Sequence, residues 1–102
     1  MPSFRVTLVV GRLRPGTAPQ DVLPEAARSA RELTTVEAYD VGVVGGEARV
    51  TVRFTAADDV EAQRVAGRVH TTVAALAQVT QPRLTRRWGP RWETVRGETA
   101  RW

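Results

Sequence analysis

The tripeptide Arg-Val-Thr, or its near copy Arg-Leu-Thr, occurs three times in this chain and combines residue types that could bind a charged group. Arg-Val-Thr occurs at residues 5–7 and 49–51, and Arg-Leu-Thr at residues 83–85. Arg presents a fork of N–H donors that suits carboxylate or phosphate, and Thr adds a hydroxyl. In a β-strand, the Arg and Thr of each copy share one face and the Val or Leu takes the other. The pattern therefore predicts a sheet with one apolar face and one face of Arg and Thr.

Few other side chains have the type and spacing that catalysis requires. The chain has no cysteine, which excludes a thiolate metal site and a thiol nucleophile. His70 is the single histidine, and no patterned carboxylate stands near it in the sequence. Asp58, Asp59 and Glu61 fit the favourable electrostatics of a helix start. We therefore predict no catalytic, cofactor-binding or metal-binding residues.

The positive charge and the tryptophans are concentrated together. Residues 1–82 carry nine Arg and nine Asp or Glu, whereas residues 83–102 carry six Arg and two Glu, so the net charge of +4 comes from the C-terminal segment. Trp88, Trp92 and Trp102 lie in the same segment. Alternating Arg and Trp could bind single-stranded nucleic acid, with Arg contacting the phosphates and Trp stacking on the bases. We favour the docking of these rings on a protein surface, where nearby arginines would support them.

Sequence periodicity predicts six elements. Strands are expected at about residues 4–13, 35–44, 47–55 and 79–88, and helices at about residues 22–33 and 56–77. Gly45-Gly46 suits a two-residue hairpin turn between the two central strands. Asp21 is expected to cap the first helix, and Thr55 with Asp58 to form a capping box for the second. Pro82 cannot donate to a strand ladder, which favours an edge position for the last strand.

The order β-α-β-β-α-β predicts an α+β, ferredoxin-like sandwich. Its antiparallel sheet would have the order 4-1-3-2, with two helices on one face. We expect residues 1–88 to form this single domain, and residues 89–102 to form a Trp- and Arg-rich extension that docks on its own sheet or on a partner subunit. In that order the three strands that carry the tripeptide are neighbours, so their Arg and Thr side chains form one patch.

The predicted binding face consists of Arg5, Thr7, Arg49, Thr51, Arg53, Arg83, Thr85 and Arg87. The predicted interface consists of Val9, Tyr39, Trp88, Trp92 and Trp102, with Val41 and Val43 on the same face as Val9. Arg and Thr are also ordinary residues for the wet face of an antiparallel sheet in a chain without lysine. The residue types alone therefore do not separate a binding face from a solvated one.

Three functions fit this sequence. The first is a non-enzymatic binding and oligomerisation module, a homodimer that uses the Arg/Thr face and the Trp-rich tail as an interface or as a site for an anionic ligand. The second is an RNA- or single-stranded-DNA-binding module, although the central strands carry Arg and Thr where RNA-binding sheets place aromatic residues. The third is a small enzyme with a pocket between sheet and tail. No charged leader or membrane-length apolar run is present, so we expect a cytoplasmic protein without a membrane partner.

Overall fold

The computed structural model describes residues 1–95 and has an α+β architecture. Its elements are β1 (Ser3–Leu13), α1 (Pro19–Arg31), β2 (Val36–Val44), β3 (Glu47–Thr55), α2 (Asp59–Ala74), β4 (Ala77–Trp88) and β5 (Arg91–Thr94). The strands form one antiparallel sheet in the order β2-β3-β1-β4-β5. The predicted α+β class is confirmed.

The sheet has five strands, so the prediction of four is wrong. Beyond the turn at Gly89-Pro90 the chain returns as β5, which pairs with residues 85–88 of β4. The predicted edge position of the last long strand is therefore wrong as well, because β5 lies outside β4. Pro82 nevertheless precedes the paired stretch, so its missing N–H leaves no gap in the ladder with β5.

The hydrophobic core lies between one face of the sheet and both helices. Alternate residues of β1 and β3 point into it, and the rings of Phe4 and Phe54 stack there with centroids 5.9 Å apart. Val22 and Ala26 of α1 and Val69 of α2 belong to the same cluster. Small residues on α1 let it lie close to the sheet. Since both helices cover one face, the opposite face carries no helix within residues 1–95; we call it the open face.

At the start of each helix a carboxylate accepts a free backbone N–H group. The N-cap residues differ from those predicted from the sequence. The N-cap of α1 is Ala18, and Asp21, three residues later, accepts the Ala18 N–H at 3.3 Å. The N-cap of α2 is Asp58, whose carboxylate accepts the Glu61 N–H at 2.8 Å. Glu61 in turn accepts the Ala57 N–H at 3.2 Å. The capping interaction of α2 is thus made by Asp58 and Glu61, about one turn later than the predicted capping box of Thr55 and Asp58.

The hairpin between β2 and β3 turns at Gly45 and Gly46, whose φ values of 58° and 82° favour glycine. This tight turn sets the register of the whole β2 strand. The alternate residues of β2 pair with helix-side residues of β3: Tyr39 with Val52, Val41 with Val50 and Val43 with Ala48. The prediction that these three residues lie on the open face is therefore wrong.

An arginine-lined cleft on the open face

The antiparallel register brings the three tripeptides together. On the β3 side of β1, Arg5 lies opposite Arg53 and Thr7 opposite Thr51. On the β4 side, Arg5 lies opposite Thr85 and Thr7 opposite Arg83. The hydroxyls of Thr7 and Thr51 are 3.4 Å apart. The Arg and Thr residues of the three strands therefore form one contiguous surface.

A bulge in β4 builds one wall of this surface. Thr80 pairs with Val9 and Arg83 pairs with Thr7, so Gln81 and Pro82 together occupy the space opposite a single residue of β1. Gln81 has a φ of 51°, a left-handed conformation that is unusual for a residue other than glycine. The extra residue lets side chains three positions apart, at 80 and 83, share the open face. The sequence offered no signal for this bulge beyond the proline itself.

Trp92 of β5 lies across the open face. The guanidinium of Arg5 is 3.9 Å from the centroid of its ring, and that of Arg53 is 5.3 Å away. Because Arg5 and Arg53 lie directly opposite each other, their like charges repel, and the electron-rich indole face offsets part of that repulsion. Because β4 lies between β5 and β1, the Trp92 ring must extend across β4 to contact Arg5. Thr85 of β4 is only 7% exposed.

A carboxylate from β2 anchors the other side of Arg53. Glu37 Oε1 accepts the Ser3 hydroxyl at 2.6 Å and Arg53 Nε at 3.1 Å. The Ser3 hydrogen bond, with the bond and charge of Arg53, lowers the pKa of Glu37 below its ordinary value. Arg53 is thus held between an indole and a carboxylate, which makes it a structural cation. Neither Ser3 nor Glu37 was among the predicted site residues, because their contact depends on a β-bulge between residues 36 and 38.

Two adjoining concavities occupy the open face and share Arg5 and Thr7. The one toward β2 has a volume of about 380 Å³, and its lining includes Arg53 and Asp40. The one toward β4 has a volume of about 370 Å³ and is lined by Arg5, Thr7, Val9, Arg49, Gln81, Pro82, Arg83, Thr85 and Trp92. We call this second concavity the arginine cleft. Among residues 1–95, its lining contains three arginines and no carboxylate.

The cations of the arginine cleft have few partners of their own. Within residues 1–95, no carboxylate oxygen lies within 4.0 Å of the side-chain nitrogens of Arg5 or Arg83. Arg49 has a long 3.8 Å contact with Glu47, and its buried Nε has no hydrogen-bond partner in the same part of the chain. Buried donors are normally satisfied. The cleft therefore has N–H donors to offer to an added acceptor.

The remaining predicted residues are divided between the two faces. Val9 is 5% exposed and forms part of the cleft wall. Arg87 donates its Nε–H to the Gly89 carbonyl at 2.9 Å and so braces the β4–β5 turn. Trp88 stacks on Arg86 at 4.1 Å, and Arg86 bonds Asp59 at 2.9 Å on the helix side. Tyr39 also lies on the helix side, with the Arg31 guanidinium 5.0 Å from its ring centroid. Trp102 lies outside the described residues.

Other kinds of site find little support in the structure. Within residues 1–95 no group of three or more His, Asp or Glu side chains is placed to hold a metal ion. In that same range, no helix has the length and apolar character needed to cross a membrane. Comparisons with protein-family models, with curated proteins and with solved structures found no match to this chain. The side chains of the open face are therefore the main indication of what the protein does.

Proposed function

We propose that this protein is a non-enzymatic binding module whose arginine cleft takes a small anionic ligand. The observation that carries the proposal is the meeting of Arg5, Arg49 and Arg83 in one concavity whose lining, within residues 1–95, has no carboxylate. Guanidinium groups form short, charge-assisted hydrogen bonds to phosphate and carboxylate, often two at a time. We also propose that the fold is a ferredoxin-like sandwich with β5 as an additional fifth strand.

The walls of the cleft narrow the chemical class of the ligand. Thr7 and Thr85 add hydroxyls that can donate to an oxyanion. Val9, Pro82 and the Trp92 ring supply apolar surface. A volume of about 370 Å³ fits a small organic molecule better than a polymer. The ligand class that matches is a small organic phosphate or carboxylate with one apolar portion.

The open face is poorly suited to pack against its own copy. Five arginines lie on it, Arg5, Arg49, Arg53, Arg83 and Arg87, and within residues 1–95 three carboxylates lie beside them, those of Glu37, Asp40 and Glu47, so the face keeps an excess of positive charge. Two such faces brought together would place like charges in contact and repel each other. We therefore assign the face to ligand binding. We propose homodimerisation through a different surface, described below.

Calorimetric titration with phenyl phosphate and inorganic pyrophosphate tests the proposal. Arg83→Gln removes an exposed cleft cation that has no carboxylate partner within residues 1–95, and we expect affinity to fall about 10- to 100-fold, the value of one lost charge-assisted hydrogen bond. Arg64→Gln removes the same charge from an exposed position on α2 and is the matched control. Equal losses in the two variants, or no binding by the wild-type chain at millimolar probe, would refute the proposal.

The same titration separates a small ligand from nucleic acid. A single-stranded oligonucleotide should bind with an affinity close to that of pyrophosphate, because only its few phosphates in the cleft would contribute. The Trp92 ring already contacts Arg5 on this face and is therefore not free to stack on a base. Binding at least tenfold tighter than pyrophosphate, with affinity that falls steeply as salt rises, would instead favour a nucleic-acid-binding module.

A further inference from the structure

Within the described residues 1–95, β2 is an edge strand with almost no cover. Eight of its nine residues are exposed. Val41 is 54% exposed and Val43 is 74% exposed, and both lie on the helix side of the sheet. Edge strands are usually protected by lysine, proline, strong bulging or a covering element. Within residues 1–95 none of these protects residues 38–44 of the strand, which carry a single charge, that of Asp40.

The hairpin determines which backbone groups of β2 point outward. In a two-residue hairpin the residues that flank the turn, Val44 and Glu47, exchange hydrogen bonds with each other. Alternation along the ladder then leaves Tyr39, Val41 and Val43 with N–H and C=O groups directed away from β3. These three residues also carry the exposed apolar side chains. One edge therefore presents both free backbone groups and apolar surface.

We propose that two copies of this chain pair through β2 in an antiparallel arrangement, with the twofold axis at Val41. Val41 then faces the partner's Val41, and Tyr39 faces the partner's Val43. All three outward-pointing residues of each strand take part, which gives about six hydrogen bonds between the chains. An interface of this kind is isologous: the same β2 edge is used by both copies, and pairing covers both β2 edges.

Competing registers are less favourable. An axis at Asp40 would place the two Asp40 carboxylates directly opposite each other, a like-charge pair that destabilises a sheet. An axis at Gly42 would leave Tyr39 opposite the turn and lose a pair of hydrogen bonds at each end. With the axis at Val41, Asp40 lies opposite the partner's Gly42, and the two carboxylates are about 8 Å apart. Charge and hydrogen bonding thus select the same register.

An apolar groove beside this edge fits the proposed partner. The groove has a volume of about 460 Å³, lies on the helix side, and is lined mostly by apolar residues of β1, α1, β2 and β3, with Val41 and Ala48 among them. In the proposed register the partner's Tyr39 lies next to Val43, which pairs with Ala48 at the edge of the groove. An aromatic side chain delivered there by a second copy would cover this apolar surface.

Single cysteines test the register, because the chain has none of its own. Val41→Cys should form an intermolecular disulfide in most chains under mild oxidation, since paired Cα atoms about 5.5 Å apart suit that bond. Asp40→Cys and Gly42→Cys are the matched controls. In the proposed register their Cα atoms are about 8 Å from their own copies, too far to cross-link. Stronger cross-linking in either control, or equal and weak cross-linking in all three, would overturn the register.

Light scattering tests the interface itself. The wild-type chain should have twice its monomer mass of 11.2 kDa. Val43→Asp should weaken the dimer at least about tenfold, because it buries a carboxylate against the partner. Val60→Asp is the control: Val60 on α2 is 73% exposed, as Val43 is 74%, so both monomers should fold. A monomeric wild type, or a dimer that tolerates both substitutions equally, would refute the proposal.

Discussion

Replacing Trp92 with alanine is expected to lower the free energy of unfolding by about 2 kcal/mol. The indole face contacts Arg5 at 3.9 Å and lies within 5.3 Å of Arg53. Each such contact contributes about 0.5–1 kcal/mol at a partly exposed site, and the loss of apolar burial adds about 1 kcal/mol. For a domain of this size the thermal midpoint should fall by about 10 °C.

A double-mutant cycle isolates the contact between the indole and the cation. Trp92→Leu keeps apolar bulk, and Arg5→Gln removes the charge. Urea unfolding of the wild type, both single variants and the double variant should give a coupling energy of about 1 kcal/mol. Trp88→Leu with Arg5→Gln is the control, and its coupling should be near zero because Trp88 stacks on Arg86 on the other face of the sheet.

A coupling energy below about 0.3 kcal/mol for the first pair would contradict the placement of Trp92 over Arg5, since that is the error of such cycles. Equal coupling in both cycles would show instead that charge on the whole domain, and not the stacked ring, sets the stability of this region.

Three further substitutions test local features by urea unfolding. Gln81→Gly should raise the free energy of unfolding by about 0.5–1 kcal/mol, because glycine adopts the φ of 51° without strain; a loss would show that the side chain supports the bulge. Asp58→Ala should cost about 1 kcal/mol by removing the acceptor for the Glu61 N–H, and an unchanged midpoint would contradict that N-cap. Glu37 has a lowered pKa in the fold, so it stabilises the protein above its ordinary pKa and that contribution is lost as the pH falls through the lowered value. The stability of Glu37→Gln should therefore fall less than that of the wild type between about pH 6 and about pH 3.

Strand alternation and turn chemistry were sufficient to predict the α+β class and the tripeptide patch. Arg5 and Thr7 share a face because a strand alternates, whatever lies around it. Gly45-Gly46 marked the hairpin because positive φ at both central positions favours glycine. The same two-residue turn pairs Val43 with Ala48, and this pairing places Val43 on the helix side.

Features that depend on long-range contacts could not be read from the sequence. The β5 strand has four residues after a Gly-Pro pair, too short for alternation to identify it. The bulge at Gln81 follows from how β4 must pair with β1, and no local propensity favours a left-handed glutamine. The bond between Glu37 and Arg53 joins two strands across a second bulge. Each arises from tertiary pairing.

The central claim is that the arginine cleft binds an anion, and the most direct measurement is the NMR signal of each arginine Nε–H during titration with phenyl phosphate. We predict that the signals of Arg49, Arg83 and Arg5 shift most and saturate together with one dissociation constant. Arg12 and Arg64, which lie outside the cleft, should shift little. Shifts spread evenly over all these arginines, or none at millimolar ligand, would contradict the account.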